Sequence, residues 1–234
     1  MSLIKKLTSE PMIYVVTGVF LLLMILTSSE TFSTKLASIY GTMMLVEITI
    51  SQFIVSRINT NPISGNSVQT LFWAVGSIAA LLIAYSLINT VTRTSVAGNF
   101  ADGSAITRNF AQIKQQASLM SIEFEKIPFL SFILFGVIIP IRETSLLGKL
   151  FDFITQTFQI AYNKFSITIM AVVFVISGLF TYFHLKVRGI DNNIDLLLTF
   201  VFGVMTLWLI IKFREMESAT EFHIGWNSLA ILKG

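Results

Sequence analysis

Long apolar runs recur along the chain, and each is about as long as the hydrocarbon core of a bilayer is thick. A transmembrane helix needs about 20 predominantly apolar residues, and residues 194–213 form such a run with charges only at Asp195 and Lys212. Hydrophobic residues make up 54% of the chain and charged residues only 12%, whereas a soluble domain carries about a quarter charged residues. The sequence therefore predicts an all-α, polytopic transmembrane helix bundle, an integral multi-pass protein in contact with membrane lipid.

The apolar runs are numerous enough for about seven spans of membrane length. We expect them at residues 11–27, 36–55, 68–90, 127–141, 165–186, 194–213 and 218–232. Pro140 should kink or end the fourth of these helices, because proline has no backbone N–H and clashes with the preceding turn. Arg142 and Glu143 follow directly after this break.

Two further segments predict amphipathic helices. Residues 106–124 carry apolar side chains at steps of four and three, which is one helical stripe. Residues 146–165 are interrupted by Lys149, Asp152 and polar amides, so this helix is too polar to face lipid on all sides. We divide the single integral membrane domain into N-terminal spans with their connector, residues 1–126, and a helical core, residues 127–234.

Charge and cysteine content exclude several classes of function. The net charge of +3 is spread along the chain, whereas nucleic-acid binding needs Lys and Arg clustered on a polar surface. We therefore expect no nucleic-acid partner. The chain has no cysteine, which excludes disulfides, cysteine-ligated zinc and a thiol nucleophile.

Only two histidines occur in the chain, and both lie in apolar helices of its last third. Phe180 precedes His184 by four residues, and Asn227 follows His223 by four. Residues four apart lie on one face of a helix. An ionisable residue at membrane depth is costly to keep, so each histidine is a candidate for a functional site.

A carboxylate from the middle of the chain completes this set. Glu143 follows the proline break near a membrane boundary. A carboxylate beside an imidazole can deprotonate water, and a second imidazole with an amide can donate hydrogen bonds to a carbonyl oxygen as it gains charge. We predict that four side chains converge on one water-accessible site and suffice for peptide hydrolysis without a cofactor: Glu143, His184, His223 and Asn227.

These motifs resemble those of the CPBP family of intramembrane proteases, which includes the CAAX prenyl endopeptidases and bacteriocin-processing proteins. The family's second motif is Phe, three residues, His, and its third is His, three residues, Asn or Asp. Phe180 with His184, and His223 with Asn227, match them. The resemblance covers residues 139–232. It implies a membrane-anchored peptide substrate, water activation by Glu143 and His184, and an oxyanion site at His223 and Asn227.

The first motif of the family is incomplete in this chain. The family pattern is two consecutive glutamates, three residues, then arginine. Glu143 falls on the first glutamate, but Thr144 and Gly148 stand in place of the second glutamate and the arginine. Lys149 comes one residue late, about 100° further round the helix. Two functions follow: an intramembrane glutamic peptidase, active or catalytically impaired, and a non-catalytic subunit or scaffold bound to partner membrane proteins.

The residues themselves leave one more alternative open. Glu143, His184 and His223 supply a carboxylate and two imidazoles, which is an open zinc-like ligand set. The set lacks a short ligand pair such as His-x-x-x-His, so we expect no metal and no other cofactor. A transporter would show repeats or paired broken helices, and the sequence shows no repeat.

Overall fold

The computed structural model describes residues 67–92, 105–119, 123–161, 166–188 and 193–233. Over these ranges the chain forms helices and the turns between them, without any strand, in agreement with the all-α prediction. The spans predicted at residues 11–27 and 36–55 lie outside the described residues.

Two helices precede the predicted core. Helix α1, Ser67–Thr92, corresponds to the third predicted span. Helix α2, Ala105–Leu119, corresponds to the predicted amphipathic helix but ends before residue 124. Ile113 and Ala117 of its apolar stripe are fully buried and pack in one cluster with Phe135. Helix α2 therefore packs against the bundle.

Helix α3, Pro128–Thr157, is continuous where the sequence predicted two separate segments. It begins with α-helical Pro128–Ser131, becomes a π-helix over Phe132–Ile138 and continues as an α-helix over Ile139–Thr157. Of the predicted kink or end at Pro140, the end does not occur, and the prediction that residues 146–165 form a helix of their own was wrong. The missing N–H of proline is accommodated by the π-helical turns before it, whose hydrogen bonds run five residues back.

Three helices complete the described chain: α4, Ile167–Arg188; α5, Asn193–Phe213; and α6, Glu217–Lys233. Within the described residues, three segments are long and apolar enough to cross a membrane: Pro128–Thr157, Ile167–Leu185 and Asp195–Phe213. These three support a membrane protein. The spans predicted at residues 68–90 and 218–232 are not among them, because the apolar segment Val68–Ile83 of α1 is shorter and α6 has only 17 residues.

Two structural features position the candidate site. The first is that α3 is enclosed on all sides at this level, so that the four consecutive polar residues Arg142, Glu143, Thr144 and Ser145 are all buried. The second is the close approach of α4 and α5 at Gly203, where a Cβ atom would lie 3.2 Å from Ser177 Cβ. Any larger residue at Gly203 would push against the turn of α4 that precedes His184.

Candidate functional site

Glu143 lies between the two histidines. Its Oε2 atom is 3.6 Å from His184 Nε2 and 3.4 Å from His223 Nε2. The three residues are only 2–3% exposed. A buried carboxylate is costly unless charged or hydrogen-bonding groups surround it. The structure thus brings Glu143 of α3 together with His184 of α4, which is 41 residues later in the sequence, and with His223 of α6, which is 80 residues later.

The orientation of His184 is set by its own helix. Its Nδ1 lies 2.9 Å from the carbonyl oxygen of Phe180, four residues back. Because a carbonyl can only accept, Nδ1 carries a hydrogen, and in the neutral form of the ring Nε2 then presents a lone pair. The Phe180 ring packs with its centroid 4.0 Å from that of the imidazole. This gives a physical account of the four-residue spacing in the Phe180–His184 motif.

The orientation of His223 is set by a different helix. Its Nδ1 lies 3.2 Å from Thr144 Oγ1, and Thr144 is fully buried. A hydroxyl can donate or accept, so it can pair with this nitrogen in either tautomer. The edge-to-face contact with Phe202, at 4.7 Å between centroids, holds the ring from its other side. Thr144 thus contacts the third-motif histidine from the position where the family has its second glutamate.

Asn227 is held by two other segments. Its Nδ2 donates to the carbonyl oxygen of Phe135 at 3.0 Å, and its Oδ1 accepts from Asn109 Nδ2 at 3.2 Å. Phe135 lies in the π-helix, where Ile139 N–H donates to Leu134, five residues back. The next donor in this register would be residue 140, a proline without an N–H, so the Phe135 carbonyl is left for Asn227.

The amide of Asn227 is therefore partly occupied. One of its two N–H hydrogens is used on Phe135, and its oxygen is used by Asn109. Asn227 thus ties α2, the π-helix and α6 together through interhelical hydrogen bonds, the structural role that the sequence offered as the alternative to catalysis. The oxyanion role predicted for it can use only the remaining hydrogen.

Asn109 is a site residue that the sequence reasoning missed. It is 6% exposed, although it lies on an amphipathic helix. It precedes Ile113 by four residues and Gln116 by seven, so it lies on the buried side of α2. The signal for its burial was its position one helical turn before Ile113 of the apolar stripe. The buried side of this helix was defined from the sequence by its apolar residues alone, and Asn109 was therefore not included.

A cavity of about 50 Å³ opens beside the histidines, and we call it the polar cavity because charged and amide side chains help to line it. His184, His223 and Asn227 contribute to its lining. The ion pair between Arg108 of α2 and Asp195 of α5, 3.3 Å long, also lines it. Although most of its surface is apolar, these polar groups and its volume allow it to hold water.

Glu143 lines a separate apolar groove between α3 and α4, of about 270 Å³. His184 and Phe180 line both this groove and the polar cavity. The other residues of the groove are Leu146, Leu147, Leu150, Ile176, Leu179, Tyr182 and Phe183. The four predicted side chains are thus close in space but do not all line one cavity, and His184 stands between the two openings.

Within the described residues, no group of three or more His, Asp or Glu side chains is arranged to hold a metal ion. The zinc-like alternative at Glu143, His184 and His223 gains no support from this geometry. Gly148 is buried in α3 and provides no side chain where the family has its arginine.

Comparison with known proteins gives no family assignment. No protein-family model matches the chain, and no curated protein or solved structure is significantly similar to it. The CPBP resemblance rests on the two histidine motifs and on Glu143.

Proposed function

We propose that the protein is a CPBP-like intramembrane peptidase in which Glu143 and His184 activate a water molecule. The observation that carries this proposal is the position of Glu143 Oε2, buried between two imidazole nitrogens at 3.4 and 3.6 Å. Three long apolar helices, two of which supply Glu143 and His184, support a multi-pass membrane protein.

The hydrogen-bond roles favour a bound water. In the proposed resting state His184 is neutral, with its hydrogen on Nδ1 toward Phe180, so the lone pair of Nε2 and the Glu143 carboxylate face each other as two acceptors. A water that donates one hydrogen to each satisfies both. Transfer of one of its protons to this pair leaves hydroxide to attack a peptide carbonyl carbon.

The remaining steps use His223 and the proton held by the pair. His223 Nε2, when Thr144 donates to Nδ1, carries a hydrogen that can stabilise the oxyanion formed by attack. Return of the proton from the Glu143–His184 pair to the leaving nitrogen breaks the peptide bond. Substrate enters from the apolar groove at Glu143, and water is supplied through the polar cavity at His184.

Specific observations also favour a second function, a non-catalytic subunit or scaffold of a larger membrane complex. Thr144 and Gly148 replace two residues of the family's first motif. The Asn227 amide is engaged by Phe135 and Asn109. Removal of groups that orient a catalytic residue commonly costs orders of magnitude in rate. A CPBP-like fold without chemistry would keep the helices and lose the need for Glu143.

The test uses the full-length protein in liposomes with a mixture of membrane-anchored peptides, in water enriched in ¹⁸O. Hydrolysis should release fragments whose new carboxyl terminus carries one ¹⁸O atom, as read by mass spectrometry. Glu143→Gln keeps the shape but removes the base, and should lower the rate by about 10² to 10⁴. Glu125→Gln, which changes an exposed carboxylate paired with Lys114, is the matched control.

The two functions give opposite results in this test. Cleavage that is lost in Glu143→Gln and kept in Glu125→Gln supports the peptidase. Equal cleavage in both variants, or none with the unmodified chain, contradicts it. A fixed set of membrane proteins that co-purifies with both the unmodified chain and Glu143→Gln, without cleavage, supports the scaffold.

A further inference from the structure

Phe202 lies near the middle of α5 and is only 6% exposed. Its ring stacks on aromatic rings from two other helices. The plane of Phe180 of α4 lies 19° from that of Phe202, with 6.2 Å between the ring centroids. The plane of Phe222 of α6 lies 26° away, with 4.7 Å between the centroids. The torsion that turns an aromatic side chain about its Cβ–Cγ bond has broad preferences, so these two neighbours fix the orientation of the Phe202 ring.

Close packing of α4 on α5 brings Phe180 to this ring. The residue after Phe202 is Gly203, and a Cβ atom there would lie 3.3 Å from Cδ1 of Phe180. Carbon atoms pack best at about 3.5–4.0 Å, so a larger residue would displace the Phe180 ring. The centroid of that ring is 4.0 Å from the centroid of His184. Phe202 therefore contacts His223 directly and His184 through Phe180.

The contact of Phe202 with His223 differs in geometry from the stacked contacts. The two planes meet edge to face at 70°, with 4.7 Å between the centroids. The imidazole torsion also has broad preferences, and an edge-to-face neighbour opposes rotation about it. Rotation would carry Nε2 of His223 away from Glu143 Oε2, which lies 3.4 Å from it. The hydrogen bond to Thr144 fixes one atom of this ring, whereas the Phe202 contact fixes its plane.

We propose that Phe202 is a positioning residue that keeps Nε2 of His223 directed at Glu143. His184 depends on Phe202 less, because the hydrogen bond from its Nδ1 to the Phe180 carbonyl lies within α4. The effect of Phe202 on cleavage rests on the peptidase proposal, whereas its effect on the orientation of His223 does not.

The first measurement is solid-state NMR of the full-length protein in liposomes, labelled with ¹⁵N-histidine. Because the chain has only two histidines, the spectrum contains two pairs of ring-nitrogen signals, and His184→Gln assigns them. Phe202→Leu keeps an apolar side chain and removes the ring. A second orientation or tautomer of His223 should then increase about 2- to 10-fold, which is the effect of losing one aromatic pair. The His184 signals should stay unchanged.

Phe200→Leu is the matched control, because it makes the same change on the same helix at a residue that packs on Phe174 of α4. It should leave both histidines unchanged. Phe202→Met keeps a long apolar side chain without a ring, should alter His223 as Phe202→Leu does, and serves as the test if the Leu variant does not fold. Unchanged His223 signals in the Leu and Met variants, or equal changes in Phe200→Leu, would overturn the proposal.

Cleavage kinetics supply the second measurement. The kcat of Phe202→Leu should fall by about the same factor with KM unchanged, because the lost contact acts on an imidazole that assists the transition state rather than on bound substrate. A purely structural role would lower the amount of folded protein and leave the His223 signals of the folded protein as they were. Absence of cleavage by the unmodified chain would contradict the peptidase proposal, and the NMR result would still decide the role of Phe202.

Discussion

The two histidine helices position their functional groups in different ways. On α4, His184 is oriented by the carbonyl of Phe180 in the same helix. On α6, His223 is oriented by Thr144 of α3. Asn227, also on α6, depends on Asn109 of α2 and on the π-helix. The α4 half of the site is set once one helix forms, whereas the α6 half requires both α2 and α3, including its π-helical part, to be in place.

This difference separates what single substitutions can do. A change distant from α4 cannot remove the Nδ1 hydrogen bond of His184 while that helix persists. A change on α2 or α3 can release His223 or Asn227 without touching either residue. We therefore expect substitutions of residues outside α6 to affect activity and stability mainly through the α6 half of the site.

The largest effect is expected from Thr144→Val, which removes the hydroxyl beside His223 and keeps the side-chain shape. Without this partner the imidazole loses its preferred tautomer and orientation, and the cleavage rate should fall about 10- to 100-fold. Thr144→Ser keeps the hydroxyl and should retain most of the activity. The measurement is kcat/KM in liposomes, and equal values for the Val and Ser variants would contradict the α6 half of the comparison.

A smaller effect is expected from Asn109→Ala on α2. This variant leaves the buried Oδ1 of Asn227 without the donor seen in the structure, which should destabilise the fold by about 1–2 kcal/mol. Thermal unfolding in detergent measures the change. Gln115→Ala, at an exposed position of the same helix, is the control and should unfold as the unmodified chain does. Matching destabilisation in both variants would mean that α2, rather than the Asn109 bond, is responsible.

The smallest effect is a pH dependence at the start of α6. Burial, together with the carboxylates of Glu217 and Glu215, raises the pKa of Glu221 to about 7, against a hydrogen bond from Thr70 that lowers it. Because the folded-state pKa lies above the ordinary glutamate pKa of 4.5, the stabilising contribution of Glu221 is complete below pH 4.5 and is lost as pH rises toward 7.

Glu221→Gln should remove this part of the dependence. The unfolding temperature of the unmodified chain should fall between pH 5 and 7 by more than that of the Gln variant. Parallel curves for the two proteins would show that Glu221 does not titrate in this window. This result extends the comparison of α4 with α6, because Glu221 lies on α6, the helix whose site residues are oriented by other helices.

Much of the helical pattern could be predicted from the sequence, because apolar runs and four-residue spacings are local signals. The span predicted at residues 194–213 corresponds closely to α5, and the pairing of Phe180 with His184 follows from helical geometry alone. The contacts of Thr144, Asn109 and the Phe135 carbonyl could not be predicted, because they join residues 79 to 118 positions apart. The continuity of α3 through Pro140 was missed for a different reason, since a π-helix leaves no composition signal.

The π-helix before Pro140 has a geometric consequence for Glu143. An extra residue in a helical turn rotates everything after it by roughly 100° relative to an uninterrupted α-helix. Glu143 comes three residues after that proline. The direction in which its carboxylate points around the helix axis is therefore determined by the π-helical residues that precede it. A chain that kept Glu143 and both histidines but closed this stretch into ordinary α-helical turns would direct the carboxylate toward another quarter of the bundle.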